Sequence, residues 1–196
     1  MKMLTEVALN INIILKILYV LLLIFMIFIT YYNIMIRKIN KIKNALSTID
    51  IMLKKRNDLI PSLVNSVKGM MQHEKMVLEK LIELRNSLEN ASEVEKNKIN
   101  DSIDNYINGI MILSENYPSL KSNQNFLDLQ KNLRDIEETI SAARRTYNAH
   151  VTSYNTFISM FPNILFAKLY RFKKYELFKA DSKEKKGKIY FNENQE

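Results

Sequence analysis

Between Lys16 and Arg37 lie twenty residues without a charge, Ile17 to Ile36, and thirteen of them are Leu, Ile, Val or Phe. As a helix rising about 1.5 Å per residue, the run is about 30 Å long, the thickness of a bilayer's hydrocarbon core. Its central apolar residues each favour insertion by roughly 0.3–0.6 kcal/mol, which outweighs the one Asn33 near its end. A core helix of a soluble bundle would instead need polar residues along its outer face. A cleavable signal would need a shorter apolar core and a small-residue exit, whereas Ile29-Thr30-Tyr31-Tyr32 stands here, so the segment is expected to stay as an anchor. Tyr31 and Tyr32 fall where an aromatic belt puts ring in the interface and hydroxyl in water. Lys2 and Lys16 precede the run, against Arg37, Lys38, Lys41, Lys43, Lys54, Lys55 and Arg56 after it. The positive-inside rule therefore predicts a single pass of the cell membrane, N-terminus outside and C-terminal part cytoplasmic, with Tyr31, Tyr32, Arg37 and Lys38 at the interface.

The rest of the chain is predicted to be helical. Only Gly69, Gly109, Gly187, Pro61, Pro118 and Pro162 punctuate 196 residues, too few for the turns of a sandwich, barrel or doubly wound sheet. With 47% hydrophobic and 26% charged residues, a core is affordable and general disorder is excluded. The absence of cysteine removes disulfides, thiolate nucleophiles and sulfur-ligated zinc.

Apolar residues step by three and four in four runs: Ile39 to Leu53, Ile60 to Leu88, Ile99 to Tyr117, and Phe126 to Phe161. The last, through Leu129, Leu133, Ile136, Ile140, Ala143, Tyr147, His150, Tyr154 and Phe157, is the most regular. Ser92 with Glu95 reads as a capping box, Pro118 as the stop of the third helix at Asn116-Tyr117, Ser122 or Asn123 as a cap of the fourth, and Pro162 as its end at Phe161. Asp58 as N-cap with Pro61 in the first turn makes a hairpin between the first two runs; the seven-residue step from Leu53 to Ile60 also suits one kinked helix. The hairpin is the expectation carried forward. The predicted organisation is a flank (1–16), a transmembrane helix (17–36), an antiparallel up-and-down four-helix bundle (37–162), a basic aromatic segment (163–180) and a charged tail (181–196). On this topology the chain returns to the bilayer at Phe161, so Phe166, Lys168, Tyr170, Arg171, Phe172, Lys173 and Lys174 are expected to touch lipid or to close the end of the bundle.

These residues resemble the LemA family of bacterial membrane-anchored helical proteins. The resemblance begins at Tyr32-Asn33 and runs through Ser47, Ile49-Asp50-Ile51, Leu53-Lys54-Lys55-Arg56, Asp58-Leu59-Ile60-Pro61, Leu63-Val64, Val67-Lys68-Gly69, His73-Glu74 and Arg85. It continues through Pro118, Leu120-Lys121, Asn123, Phe126-Leu127, Leu129-Gln130, Ala142-Ala143-Arg144-Arg145, Tyr147-Asn148, Tyr154-Asn155 and Phe161-Pro162. It implies one N-terminal anchor, an antiparallel four-helix bundle with the hairpin at Asp58 to Pro61, and no established enzymatic activity. Members often lie beside membrane metallopeptidases in bacterial genomes. Leu46 and Met70 depart from the family, which often has tryptophan and an aromatic there.

Catalytic chemistry finds little footing. His73-Glu74 lacks the second histidine of H-E-x-x-H, since Val77 stands in its place. Glu74 falls in the apolar phase between Met70 and Val77, so it is expected to be a satisfied core carboxylate or part of a polar cluster, with a cationic or hydrogen-bonding partner from a neighbouring helix. His150, on the fourth seam, reads as a hydrogen-bonded core histidine, because a metal would need further converging ligands. Arg85, Arg144 and Arg145 are expected to pair with Asp50, Asp58 or Glu74, giving with Arg56 and His150 a candidate polar cluster. The scattered glycines offer no phosphate cradle. The net charge of +8 is concentrated at Arg37 to Lys43, Lys54 to Arg56 and Lys168 to Lys188, which suits anionic lipid better than a nucleic acid. The expected protein is non-catalytic, without cofactor, metal, nucleic acid or small-molecule substrate. It is expected to bind membrane lipid and a protein partner or itself as a scaffold; the alternative is a lipid-surface accessory of the envelope or of a membrane peptidase.

Overall fold

The computed structural model describes residues 2–69, 71 and 74–178, with backbone alone for 2–9 and 93–94. His73, Met70 and the expected charged tail, including Ile189-Tyr190-Phe191 as a docking element, lie outside the described residues. Among the described residues the chain is helical and has no strand. The helices are α1 (Lys2–Lys68), α2 (Lys75–Ser87), α3 (Glu93–Leu113), α4 (Pro118–Lys121), α5 (Gln124–Ser159) and α6 (Asn163–Leu169). They form two compact units, one of residues 45–145 and one of residues 1–44 with 146–196; α1 and α5 each contribute to both.

The hairpin expected at Asp58 to Pro61 is absent: α1 runs unbroken through Pro61 to Lys68. A proline inside a helix removes one backbone bond and crowds the preceding turn, a cost of about 3 kcal/mol. Ile60, Leu63, Val64 and Val67 are all buried from this stretch of helix, and at roughly 1.5–3 kcal/mol each their burial outweighs that cost. The break falls instead at Gly69, and α2 begins at Lys75 with half-buried Glu74 as its N-cap. That position corrects the core carboxylate expected there: Glu74 stands at the positive end of the α2 dipole.

In the 45–145 unit, Ile60, Leu63, Val64 and Val67 of α1 meet Leu78 and Leu81 of α2, Ile103, Ile107 and Ile110 of α3, Leu120 of α4, and Phe126 and Leu133 of α5. Ala45, not Leu46, continues the buried stripe of α1. The capping box holds: the Ser92 amide and hydroxyl donate to Glu95 Oε2 at 2.9 and 2.6 Å, and these bonds hold the Glu95 carboxyl below its ordinary pKa. α3 ends at Leu113, short of the expected stop, in a 3-10 turn that leads Pro118 into the first turn of α4. Asn123 caps α5, its Oδ1 accepting from the Phe126 amide at 3.2 Å. α5 ends at Ser159, before the expected Phe161, since Pro162 has no N–H to continue the ladder.

In the other unit, Met35 and Ile42 of α1, Tyr147, Val151, Tyr154 and Ile158 of α5, and Asn163 and Ala167 of α6 are buried. The α5 seam thus shifts after Tyr147 to Val151 and Ile158, leaving His150 and Phe157 half-buried and Phe161 exposed. His150 is therefore not a core residue.

The continuous α1 is testable because the sequence has no cysteine of its own. Spin labels on Leu46→Cys and Asn65→Cys, both exposed, are expected about 28 Å apart for nineteen helical steps. A pulsed electron resonance distance well under 20 Å, by the same rise per residue, would restore the hairpin.

Candidate functional site

The inward column of α1 repeats every seven residues, Met35, Ile42, Ile49, Arg56, Leu63, and all five are buried. A guanidinium thus occupies a position that the periodicity otherwise fills with hydrocarbon. Arg56 is 2% exposed and is held from α3 and α5. Its Nη1 pairs with Asp104 and lies 3.5 Å from Glu137 Oε2. Its Nη2 donates to Asn100 Oδ1 at 3.1 Å and to the Asn100 carbonyl at 3.3 Å. Asn57 Nδ2 donates to the same Oδ1 at 3.3 Å, and Asn100 Nδ2 donates to the Lys96 carbonyl at 2.8 Å. Burial lowers the Arg56 pKa to about 10, opposed by Glu137 and reinforced by Arg144, so the group stays cationic at neutral pH.

The acceptors on Arg56 are residues the expected cluster did not contain. Of those it did contain, Asp50, Asp58 and Arg85 line one open groove of about 490 Å³ with Lys54 and Glu89. Half-buried Arg85 donates to Asn86 Oδ1 at 3.2 Å. Arg144 lies 4.0 Å from Asp101, and Arg145 is exposed. The heptad spacing of Arg56 was the signal in the sequence for its burial; its two lysine neighbours hid it inside a basic block.

The unit of residues 1–44 and 146–196 holds the expected interface and lipid-contact residues. Phe166 stacks on Tyr31 with centroids 4.5 Å apart and meets Phe28 edge-on at 4.9 Å. Tyr32 lies 5.3 Å from Tyr170 and 6.4 Å from Phe172. Lys38 donates to Ser153 Oγ at 2.9 Å and sits 5.1 Å over the Phe157 ring. Arg37, Lys168, Arg171, Lys173 and Lys174 are exposed, with Arg171 at a φ of 57° just past α6. The rings of Phe166, Tyr170 and Phe172 are thus engaged with α1. Among the large apolar groups left exposed around them are Met160, Phe161, Leu165 and Leu169; of these only Phe161 was marked in the sequence, as the end of the fourth run.

Beyond α6 the chain forms a strap over α5, held by a repeated Tyr-Asn pair. The Tyr154 hydroxyl donates to the Lys173 carbonyl at 3.1 Å, and Asn155 both donates to the Tyr175 carbonyl at 2.8 Å and accepts from its amide at 3.0 Å. Seven residues earlier the pattern recurs: Tyr147 donates to the Glu176 carbonyl at 3.1 Å, and Asn148 exchanges bonds with Phe178 at 3.0 and 2.9 Å. Seven helical residues advance about 10.5 Å, and only nearly stretched chain covers that distance in the three residues from Tyr175 to Phe178. The Tyr147 and Phe178 rings, 4.8 Å apart, and those of Tyr154 and Tyr175, 5.4 Å apart, flank the clasp.

This is the arrangement of an all-helical protein with one long apolar N-terminal helix, a unit centred on a buried arginine, and a basic aromatic strap. Residues 45–191 match the LemA family, and the chain belongs to that family. No curated protein matches the chain.

Removing an acceptor from Arg56 leaves a buried charge short of partners. Asp104→Ala is expected to lower the stability of the helical domain by about 3 kcal/mol, read from urea unfolding followed by circular dichroism. Loss of less than 1 kcal/mol, the range of a solvated surface pair, would show the pair to be solvated. For the strap, Asn155→Ala deletes two hydrogen bonds, about 2 kcal/mol, and is expected to speed tryptic cleavage after Lys173 and Lys174 roughly 30-fold. Burial holds the Tyr147 and Tyr154 phenols above their ordinary pKa of 10.0. Docking is therefore fully present below pH 10 and weakens as pH rises past the raised values, and faster cleavage in that direction is the check.

Proposed function

We propose that this chain is a membrane-anchored, non-catalytic interaction protein. Ile17 to Ile36 crosses the cell membrane once, with the N-terminus outside and the helical domain on the cytoplasmic side, where α1, α2, α3 and α5 act as an antiparallel up-and-down bundle. The observation that carries the reading is α1 itself. It is long and apolar enough to cross a membrane, its best 18-residue window has a mean hydropathy of 2.9, and none of that window is buried in the protein. Seventeen large apolar side chains from Ile11 to Tyr32 are exposed; turned to water they would be costly at about 25 cal/mol per Å², and lipid removes that cost. The same helix goes on to supply Ile49, Arg56 and Leu63 to a folded unit. The helical surface then serves to hold a membrane protein or a second copy of the chain.

A second reading, a lipid-surface accessory of the envelope, is favoured by the exposed cations Lys168, Arg171, Lys173 and Lys174, each worth about 1 kcal/mol beside anionic lipid. Alkaline carbonate extraction of membranes is expected to leave the chain in the pellet, and its release would sink the anchor. Cross-linking in intact membranes, read by mass spectrometry, is expected to give a reproducible protein adduct, the chain's own dimer included. Adducts to lipid alone would favour the second reading.

A further inference from the structure

We propose that the turn at Met160 to Pro162 and helix α6 enter the bilayer beside the span, as a short helical wedge in the leaflet on the Arg37 side. The inference rests on the reading of Ile17 to Ile36 as a membrane span. Phe166 of α6 is packed on Phe28 at 4.9 Å and on Tyr31 at 4.5 Å. Both partners belong to the uncharged run, nine and six residues before Arg37, or about 13 and 9 Å along the helix. Whatever depth those rings take, α6 shares it. A span that is in the membrane brings α6 with it.

The surface of α6 suits that position. Leu165 and Leu169, four apart in α6, share one face and are 58 and 64% exposed, and Phe161 and Met160 in the turn before the helix are 81 and 55% exposed. These side chains and the exposed apolar residues of the span belong to one unit and are tied together by the Phe166 contacts, so acyl chains are the occupant the geometry assigns. The cations suit it as well. Lys168 has a stem long enough to carry its charge outward, and Arg171, Lys173 and Lys174 follow α6 and are exposed where anionic headgroups would lie.

Irregular backbone enters a bilayer only if its polar groups are paired within the protein. Around α6 they are. The Ile164 amide donates to the Met160 carbonyl at 2.8 Å, and the Leu165 amide to that of Pro162 at 3.1 Å. At the other end the Tyr170, Arg171 and Phe172 amides donate to the carbonyls of Phe166, Lys168 and Ala167 at 3.0, 3.2 and 2.9 Å. The left-handed conformation of Arg171 closes that last turn and returns the chain to the strap.

The test uses the full chain, which contains no cysteine. Leu165→Cys, Leu169→Cys, Leu22→Cys in the span and Ile112→Cys on exposed α3 are each labelled with an environment-sensitive fluorophore and reconstituted in phosphatidylcholine–phosphatidylglycerol vesicles carrying shallow or deep spin-labelled lipids. Positions 165 and 169 are expected to lose fluorescence, more to the shallow quencher than to the deep one. Position 22 is expected to show the opposite preference and position 112 no loss. Quenching at 22 with none at 165 and 169 overturns the wedge and leaves the span intact, and it would make the exposed face a site for another protein. No quenching at 22 overturns the span, and the wedge with it.

Discussion

Taking a guanidinium out of water is tolerable only when acceptors wait for it, and the unit of residues 45–145 is organised around that requirement. Arg56 arrives on α1, Asn100 and Asp104 on α3, and Glu137 on α5, so three helices must present their polar groups at one level. Hydrophobic contacts alone would not fix that level. Ile103, Ile107 and Ile110 are interchangeable enough that α3 sliding by one turn would keep its apolar burial, yet the slide would set the guanidinium against hydrocarbon. The greasy core supplies cohesion here, and the ion cluster supplies register.

How far the sequence reveals this depends on the kind of signal. Helix, the capping box at Ser92, a cap at Ser122 or Asn123 and the apolar N-terminal run are local properties, governed by hydrogen bonds within four residues and by composition, and they could be read directly. Pro61 misled, because its cost is local while the gain that overrides it, burial of Ile60, Leu63, Val64 and Val67, comes from helices distant in sequence. Arg56 was visible as the fourth member of a seven-residue column, but a cation beside two lysines reads as surface until its acceptors are known. Its partners Asp104 and Glu137 lie 48 and 81 positions away, and no short-range rule connects them.

The second unit shows the converse case. The aromatic and basic character of residues 166–174 was plain, yet which side chains pack on α1 and which stay exposed is a question of pairing. Half-buried Phe166 and Phe172 pack on Phe28, Tyr31 and Tyr32, while Tyr170 meets Tyr32 and keeps part of its ring exposed. The less conspicuous Leu165 and Leu169 stay exposed. Tyr147-Asn148 and Tyr154-Asn155 likewise stood out only as family blocks, since a helix offers no local reason for a Tyr-Asn pair to recur after seven residues. The reason is the strap, whose three-residue pitch matches that interval.

Because Asn148, Asn155 and the two phenols grip carbonyls and amides, the clasp is indifferent to most of the side chains it holds. Leu177 is outside the grip and exposed, so the clasp leaves it open to nearly any replacement. Tyr175 and Phe178 must keep their N–H, and proline is the one residue that cannot stand at either. Evolution is thus left a stretch whose chemistry facing outward is free to drift while its attachment stays the same.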